Sequence, residues 1–309
     1  MAMNSDYVCV REVGLRDGLQ RITVPFPTEA KIEWLRIEAA AGISSIEVCS
    51  FASSKVMPQF ADRAEVIAAA RAIPALEVCA TILNYRRAEE AFTADVDALN
   101  FVISASDTHN MQNVRRTPEQ SMDEFKQVVA LRSSRDQWRR IKLAGCIATA
   151  FGCTLEGSVD PRRVLSIAEQ YIEAGADEVA LADTVGFASP KHVKTLFTDL
   201  LALTGSLQVS AHIHDTRGLG LANVYAALEV GVRRFDGSLG GLGGCPFAPG
   251  ASGNIVTEDL VFMLEGCGFE TGVDVEKLLP LRDLISRHLP DEDLHGAFAR
   301  AGPCRVLVE

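Results

Sequence analysis

LQVSAHIHDTRG, residues 207–218, holds two of the chain's six histidines, His212 and His214, one residue apart with Asp215 directly behind them. On a β-strand, residues i and i+2 point to the same face, whereas on a helix they splay apart. Read as a strand, LQVSAHIH delivers two imidazoles to one point at its C-terminal end, an arrangement that suits a metal ion. Seven further runs share its short, apolar, β-branched character: YVCVREV (7–13), SIEVCS (45–50), LEVCAT (76–81), ALNFVIS (98–104), IKLAGCIAT (141–149), EVALAD (178–183) and RRFDGSL (233–239). Between them lie longer stretches with helical spacing, such as residues 28–42, 121–132, 160–176 and 190–205. The third of these opens on Asp160 as N-cap with Pro161 at the first helical position and closes on Gly175; the fourth repeats the proline start and glycine stop. Strands alternating with helices predict a parallel sheet covered by helices, and about eight such units predict a (β/α)8 TIM barrel. A doubly wound open sheet is the runner-up, but no GxGxxG follows the first strand. The predicted division is a catalytic barrel over residues 1–272 and a short helical C-terminal extension over residues 273–309 packed on it.

At 309 residues and 48% hydrophobic, the chain has ample material for one large core. Its 30 basic against 41 acidic side chains give a net charge of −11, which argues against nucleic acid or an anionic membrane as partner. The eight cysteines (9, 49, 79, 146, 153, 245, 267 and 304) form no CxxC and no regular framework, so they read as thiols in a reducing compartment. With no signal-like leader and no apolar run near the ~20 residues of a membrane span, the expected location is the cytoplasm.

In a TIM barrel the reacting groups gather where strands hand over to loops at their C-terminal ends. Arg16 and Asp17 lie just past the first strand, in VGLRDGLQ; Glu47 lies inside the second and Ser50 at its end. Asp183 closes the sixth strand, the two histidines close the seventh, and GLGGCPFAPGASGN (241–254) follows the eighth. Asp17 therefore offers a carboxylate, and Asn254 an amide oxygen, to complete a site with His212 and His214 that fits Mg²⁺, Mn²⁺, Fe²⁺ or Zn²⁺. Asp215 reads as a backbone cap or as a partner orienting a ligand imidazole. Packed or surface rings are the reading for His109, His192, His288 and His295. Arg16 reads either as a fixed donor for an oxyanion or as an ion-pair partner of Glu47 or Asp183, and Asp183 equally as a turn residue. Five glycines and two prolines in residues 241–254 force a shaped loop, which lacks the Lys and Ser/Thr of a P-loop. Cys245 at its centre, with an ordinary thiol pKa of ~8.5, fits proton donation better than attack.

Taken together, REVGLRDGLQ, IEVCSFASSKVMPQFAD, LADTVGFASP, HIHDTRG and GGLGGCPFAPGASGNIVTEDLVFMLEG resemble the 3-hydroxy-3-methylglutaryl-CoA lyase family over nearly the whole chain. The resemblance implies a metal-dependent TIM-barrel lyase of leucine degradation and ketone-body metabolism, binding Mg²⁺ or Mn²⁺ through Asp17, His212, His214 and Asn254. It implies that Arg16 stabilises an enolate and Cys245 handles protons. Glu47 and Asp183 match acidic positions that orient substrate or relay protons, and Gln20, Ser50 and Asn113 match polar positions near the site. It also implies an acyl-CoA thioester as partner and a homodimer. Two departures stand beside the site: Arg21-Ile22 where such lyases usually carry Asn-Glu, and Arg217-Gly218-Leu219 where they usually carry Tyr-Gly-Gln.

The implied reaction cleaves a 3-hydroxyacyl-CoA to acetyl-CoA and a keto acid, acetoacetate for 3-hydroxy-3-methylglutaryl-CoA. A divalent cation acidifies the alcohol, and a water, His212 or Asp183 takes its proton. The departures keep citramalyl-CoA and longer-chain 3-hydroxyglutaryl-CoA open as substrates. A Claisen-condensing synthase or an aldolase is the alternative chemistry, since both share LRDG and HxH. A catalytically silent CoA-binding barrel is the rival of a different class.

Overall fold

The computed structural model describes residues 6–243 and 253–304. Eight parallel strands close into a barrel in sequence order: β1 (Cys9–Glu12), β2 (Ser45–Ser50), β3 (Glu77–Ile82), β4 (Ala98–Ser104), β5 (Lys142–Ala148), β6 (Glu178–Ala182), β7 (Gln208–His212) and β8 (Arg234–Gly237). β8 pairs with β1 to seal it, Asp236 lying opposite Arg11. Each predicted strand is present, and helices cover the outside.

Strands buried on both faces lose the in–out alternation of a surface sheet. β4 illustrates how its residues divide. Leu99, Phe101 and Ile103 are buried under the helices, and the Phe101 ring meets Phe125 of the helix Pro118–Ser133 at 5.4 Å. Phe125 in turn meets Tyr171 at 4.7 Å, and the Tyr171 hydroxyl donates to the Phe101 carbonyl at 3.0 Å. Asn100 and Val102 face the other way and line the cavity inside the barrel.

Local signals set the helix ends. Asp160 accepts from the Arg162 N–H at 2.9 Å, Pro161 is the first helical residue, and Gly175 ends that helix at φ +100°. The helix read from residue 121 starts three residues earlier, at Pro118. Thr117 and Gln120 form a reciprocal capping box there, which stabilises the extra turn. At the C-terminal end, the helices Val275–His288 and Ala297–Ala301 follow the barrel, and the His288 ring packs on Phe26 at 5.3 Å.

Three fully buried glutamates, Glu12, Glu38 and Glu258, sit near one another, and Glu12 ties β1 to the segment after β8. Glu12 accepts from the N–H groups of Gly14 (2.8 Å) and Leu239 (3.0 Å) and from the Thr257 hydroxyl (2.5 Å). Glu258 accepts from the Gly240 N–H at 3.0 Å and from Arg282 at 2.6 Å, and Glu38 accepts from the Trp34 indole. Burial pushes the Glu12 carboxyl up to about 8, against the hydrogen bonds it accepts. Because its folded pKa lies above the ordinary 4.5, its contribution to stability is whole below that value and is lost as pH rises through about 8. Glu12→Gln keeps the two accepted N–H bonds and can donate to Thr257. It is expected to raise the melting temperature at pH 8.5 by roughly 2–5 °C over wild type, with little gain at pH 5. Melting curves of both proteins across that range check this, and an equal offset at both ends would show that Glu12 does not carry the proton.

Candidate metal centre and active site

Three strand ends meet at the mouth of the barrel. Past β1 the chain turns tightly through Gly14–Gly18, and this turn presents Arg16 and Asp17. β7 ends on His212, and His214 follows in a bridge to Asn254, which descends from the segment after β8. Gly243 closes the corner. At φ +111°, a Cβ there would stand 2.8 Å from Asn254 Nδ2 and 3.1 Å from Gly18 Cα, so only glycine fits.

Asp17, His212 and His214 bring one carboxylate oxygen and two ring nitrogens within 4.8 Å of one another. Asp17 Oδ2 lies 3.9 Å from His212 Nε2 and 4.0 Å from His214 Nε2, and the two Nε2 atoms are 3.1 Å apart. Asn254 reaches the same carboxylate through Nδ2, at 2.8 Å, while its buried Oδ1 has no hydrogen-bond partner among the described residues. Two imidazole nitrogens, a carboxylate and an amide are a donor set that a divalent cation accepts. Burial opposes charge on Asp17, but Arg16 and the two histidines outweigh it and hold the carboxyl at about 2. Burial, then the neighbouring His212, lower His214 to about 4, so at neutral pH this ring is in the form that binds metals.

Arg16 is locked in place. Its Nε donates to Glu47 at 2.5 Å and its NH1 to Asp17 at 2.6 Å. Glu47 also accepts from Thr81 (2.5 Å) and Asn100 (2.6 Å), so its carboxylate serves as an anchor for the guanidinium. The ion pair expected as the plainer reading of Arg16 is thus present, and it aims the residue into the cavity. Gln20 stands beside it, accepting from Arg16 NH1 at 3.5 Å.

Arg16, Asp17, His212 and His214 line a cavity of about 320 Å³ at the barrel mouth, while Glu47 and Asn254 are not among its lining residues. Gln20 and Asn113 line it as well, whereas Ser50 and Asp183 are not among its lining residues. The Ser50 hydroxyl accepts from the Ala52 N–H at 3.2 Å. Asp183 is turned back onto its own loop, accepting from the N–H groups of Phe187 (2.8 Å) and Ala188 (3.2 Å). Burial lifts its carboxyl to about 6 despite those bonds. Cys245 lies outside the described residues.

Of the two readings of Asp215, the backbone cap is the one present: it accepts from the Gly220 N–H at 2.6 Å, while the Nδ1 of His212 meets Asp236 of β8 at 3.0 Å. His109, expected only as a packed or surface ring, is buried with Nδ1 2.5 Å from Ser104 Oγ and also lines the cavity. Asp236, Arg11, Thr81 and Asn100 are further site residues that the sequence reading passed over. Their signal was weak: isolated polar or charged residues inside otherwise mostly apolar strand runs.

Comparisons with known proteins show the family and the fold. A family model described as HMGL-like matches residues 8–285. The chain belongs to the HMGL-like family. A solved HMG-CoA lyase from Acinetobacter baumannii, in complex with coenzyme A and 3-methylmalate, is 41% identical, covers 100% of this chain and 99% of its own, and superposes with a TM-score of 0.91. The hydroxymethylglutaryl-CoA lyase YngG of Bacillus subtilis is 38% identical over 93% of this chain and 96% of its own length. The (R)-citramalyl-CoA lyase of Chloroflexus aurantiacus is 37% identical over 96% of this chain and 95% of its own.

The two departures of this HMGL-like chain have different fates. Arg217 donates to the carbonyls of Val185 (2.7 Å) and Gly186 (3.0 Å) and stacks over Phe187 at 4.6 Å, so it braces the loop after β6. Arg21 lines the cavity. Of the two, only Arg21 borders the cavity.

Proposed function

We propose that this chain is a divalent-metal-dependent carbon–carbon lyase that cleaves 3-hydroxy-3-methylglutaryl-CoA, or a close 3-hydroxyacyl-CoA, to acetyl-CoA and a keto acid. The convergence of Asp17, His212 and His214 beside an anchored Arg16 is the observation that carries this reading. Asp17, His212, His214 and Asn254 hold the cation, Mg²⁺ or Mn²⁺; a half-turn of the Asn254 amide exchanges Nδ2 for Oδ1 on the Asp17 side. When bound, the cation acidifies the substrate hydroxyl and so prepares the carbon–carbon bond to break. Arg16, held by Glu47 and Asp17, presents its remaining N–H to the enolate oxygen of the departing acetyl thioester, where preorganised charge is most effective. Cys245 returns the proton to the enolate carbon. Asp183, held on its loop, shapes the wall after β6. The free thiols at residues 9, 49, 79, 146, 153, 267 and 304 support a reducing, cytoplasmic setting. No helix among the described residues is long and apolar enough to cross a membrane. A homodimer belongs to this reading on the strength of the family resemblance.

(R)-Citramalyl-CoA is the second reading, favoured by Arg21 on the cavity wall and by the length of the match to the Chloroflexus enzyme. Purified protein offered a panel of 3-hydroxyacyl-CoA thioesters with Mg²⁺ or Mn²⁺ is expected to release acetyl-CoA from one of these two substrates and to stop on chelation. Release of no acetyl-CoA from any member of the panel would rule the lyase reading out.

A further inference from the structure

The two imidazoles of the metal centre are held unequally. His214 Nδ1 is buried with no hydrogen-bond partner among the described residues. His212 Nδ1 is paired with Asp236 Oδ2 at 3.0 Å. Asp236 is itself clamped, since Arg11 donates from Nε to Oδ1 at 2.8 Å and from NH2 to Oδ2 at 3.1 Å. The three residues share one level of the barrel: β8 puts Asp236 opposite His212 of β7 on one side and opposite Arg11 of β1 on the other. Arg11, Asp236 and His212 are each more than nine-tenths buried.

Below them the interior continues as charge. Arg11 NH1 donates to Glu178 at 3.3 Å, and Glu178 accepts from Ser210 at 2.5 Å and lies 3.6 Å from Arg234. Arg234 donates to Ser45 at 2.9 Å and to Glu77 at 2.5 Å, and Glu77 accepts from Lys142 at 2.9 Å. A buried ionic network of this size is a poor source of stability, because desolvation offsets most of the Coulombic gain. It is well suited to fixing the angle of one carboxylate.

We propose that Arg11 and Asp236 are positioning residues for the metal centre: Asp236 fixes the His212 ring with Nδ1 as donor, so that the Nε2 lone pair faces Asp17 and His214, and Arg11 fixes Asp236. The carboxylate–imidazole pair keeps the protein's ligand atom aimed before any ion arrives, and it raises the basicity of that atom. His214 gains no such help from its Nδ1, so metal affinity depends on the Asp236 side of the site. This inference concerns the metal centre of the proposed lyase and does not depend on which thioester is cleaved.

The test uses the full chain and Mn²⁺ alone, with free ion followed by its EPR signal. Asp236→Asn is expected to raise the Mn²⁺ Kd ~10–100-fold, as loss of such outer partners does. Arg11→Lys, which cannot clamp both oxygens, is expected to raise it several-fold. Removing one member of a buried ion pair can unfold the protein, so the double variant Arg11→Met with Asp236→Asn removes both charges and provides the second measurement. In the Mg²⁺-loaded wild type, long-range ¹H–¹⁵N spectra should show His212 protonated at Nδ1, and the folded variants should lose that single tautomer. A folded Asp236 variant that binds Mn²⁺ within twofold of wild type, with the tautomer unchanged, would overturn the assignment. Because no thioester enters the titration, failure here is distinct from failure of the lyase reading.

Discussion

Replacing Arg16 with glutamine is expected to lower kcat by ~10²–10³, the usual cost of removing one preorganised donor from a developing oxyanion, while leaving Mn²⁺ affinity undiminished. Two opposing effects act on the metal in that variant. Asp17 loses the 2.6 Å bond from Arg16 that helps hold it. A positive charge is also removed beside a cation site, and at a few ångströms in a buried setting the loss of that repulsion dominates. Glu47 would lose its guanidinium but keep Thr81 and Asn100, so the second strand should stay in place. Turnover at saturating Mn²⁺ and a parallel Mn²⁺ titration separate the two roles. If affinity collapsed together with kcat, Arg16 would be a support of Asp17 and not a donor to substrate.

The residues that carry this prediction were legible in different degrees. Asp17, His212 and His214 could be read from sequence because each lies at or just past the end of a strand, and strand ends of a parallel barrel converge by construction. His212 and His214 added the two-residue period that puts both rings on one side. Asp236 could not be read this way. Its role comes from the register between β7, β8 and β1, which is fixed by barrel closure and not by any spacing along the chain. Asp215, adjacent in sequence, was open to the same task or to a backbone cap, and it takes the second, accepting the N–H of Gly220.

Asp183 lies just past the end of β6, and its bonds are those of the turn reading: Gly186 at φ +65° lets the following loop fold back, and two N–H groups capture the carboxylate. Charge in a strand-end residue says that it reaches the rim; which way it turns depends on the loop. The arginines of the two departures divide for the same reason. Arg217 is absorbed by loop carbonyls that its side chain reaches, while Arg21 sits where the turn after β1 meets the cavity.

Asp17→Asn should separate cleanly from the Arg16 variant, although the two residues are neighbours. Asp17 supplies the only carboxylate among the three groups that converge, and His214 is neutral at working pH. With an amide in its place, the converging groups lose their negative charge while Arg16, still paired with Glu47, keeps its positive charge beside the site, so an incoming cation meets far less attraction. Mn²⁺ affinity is expected to fall by on the order of 10²–10³-fold, more than the ~10–100-fold that follows loss of an outer partner. Raising Mn²⁺ should restore part of the turnover in Asp17→Asn and none in Arg16→Gln, because only the first defect is one of occupancy. Isothermal titration of both variants, followed by rate measurements across a wide range of Mn²⁺ concentration, gives the comparison. An Asp17→Asn protein that kept wild-type affinity would place the ion elsewhere, and with it the whole assignment of the barrel mouth.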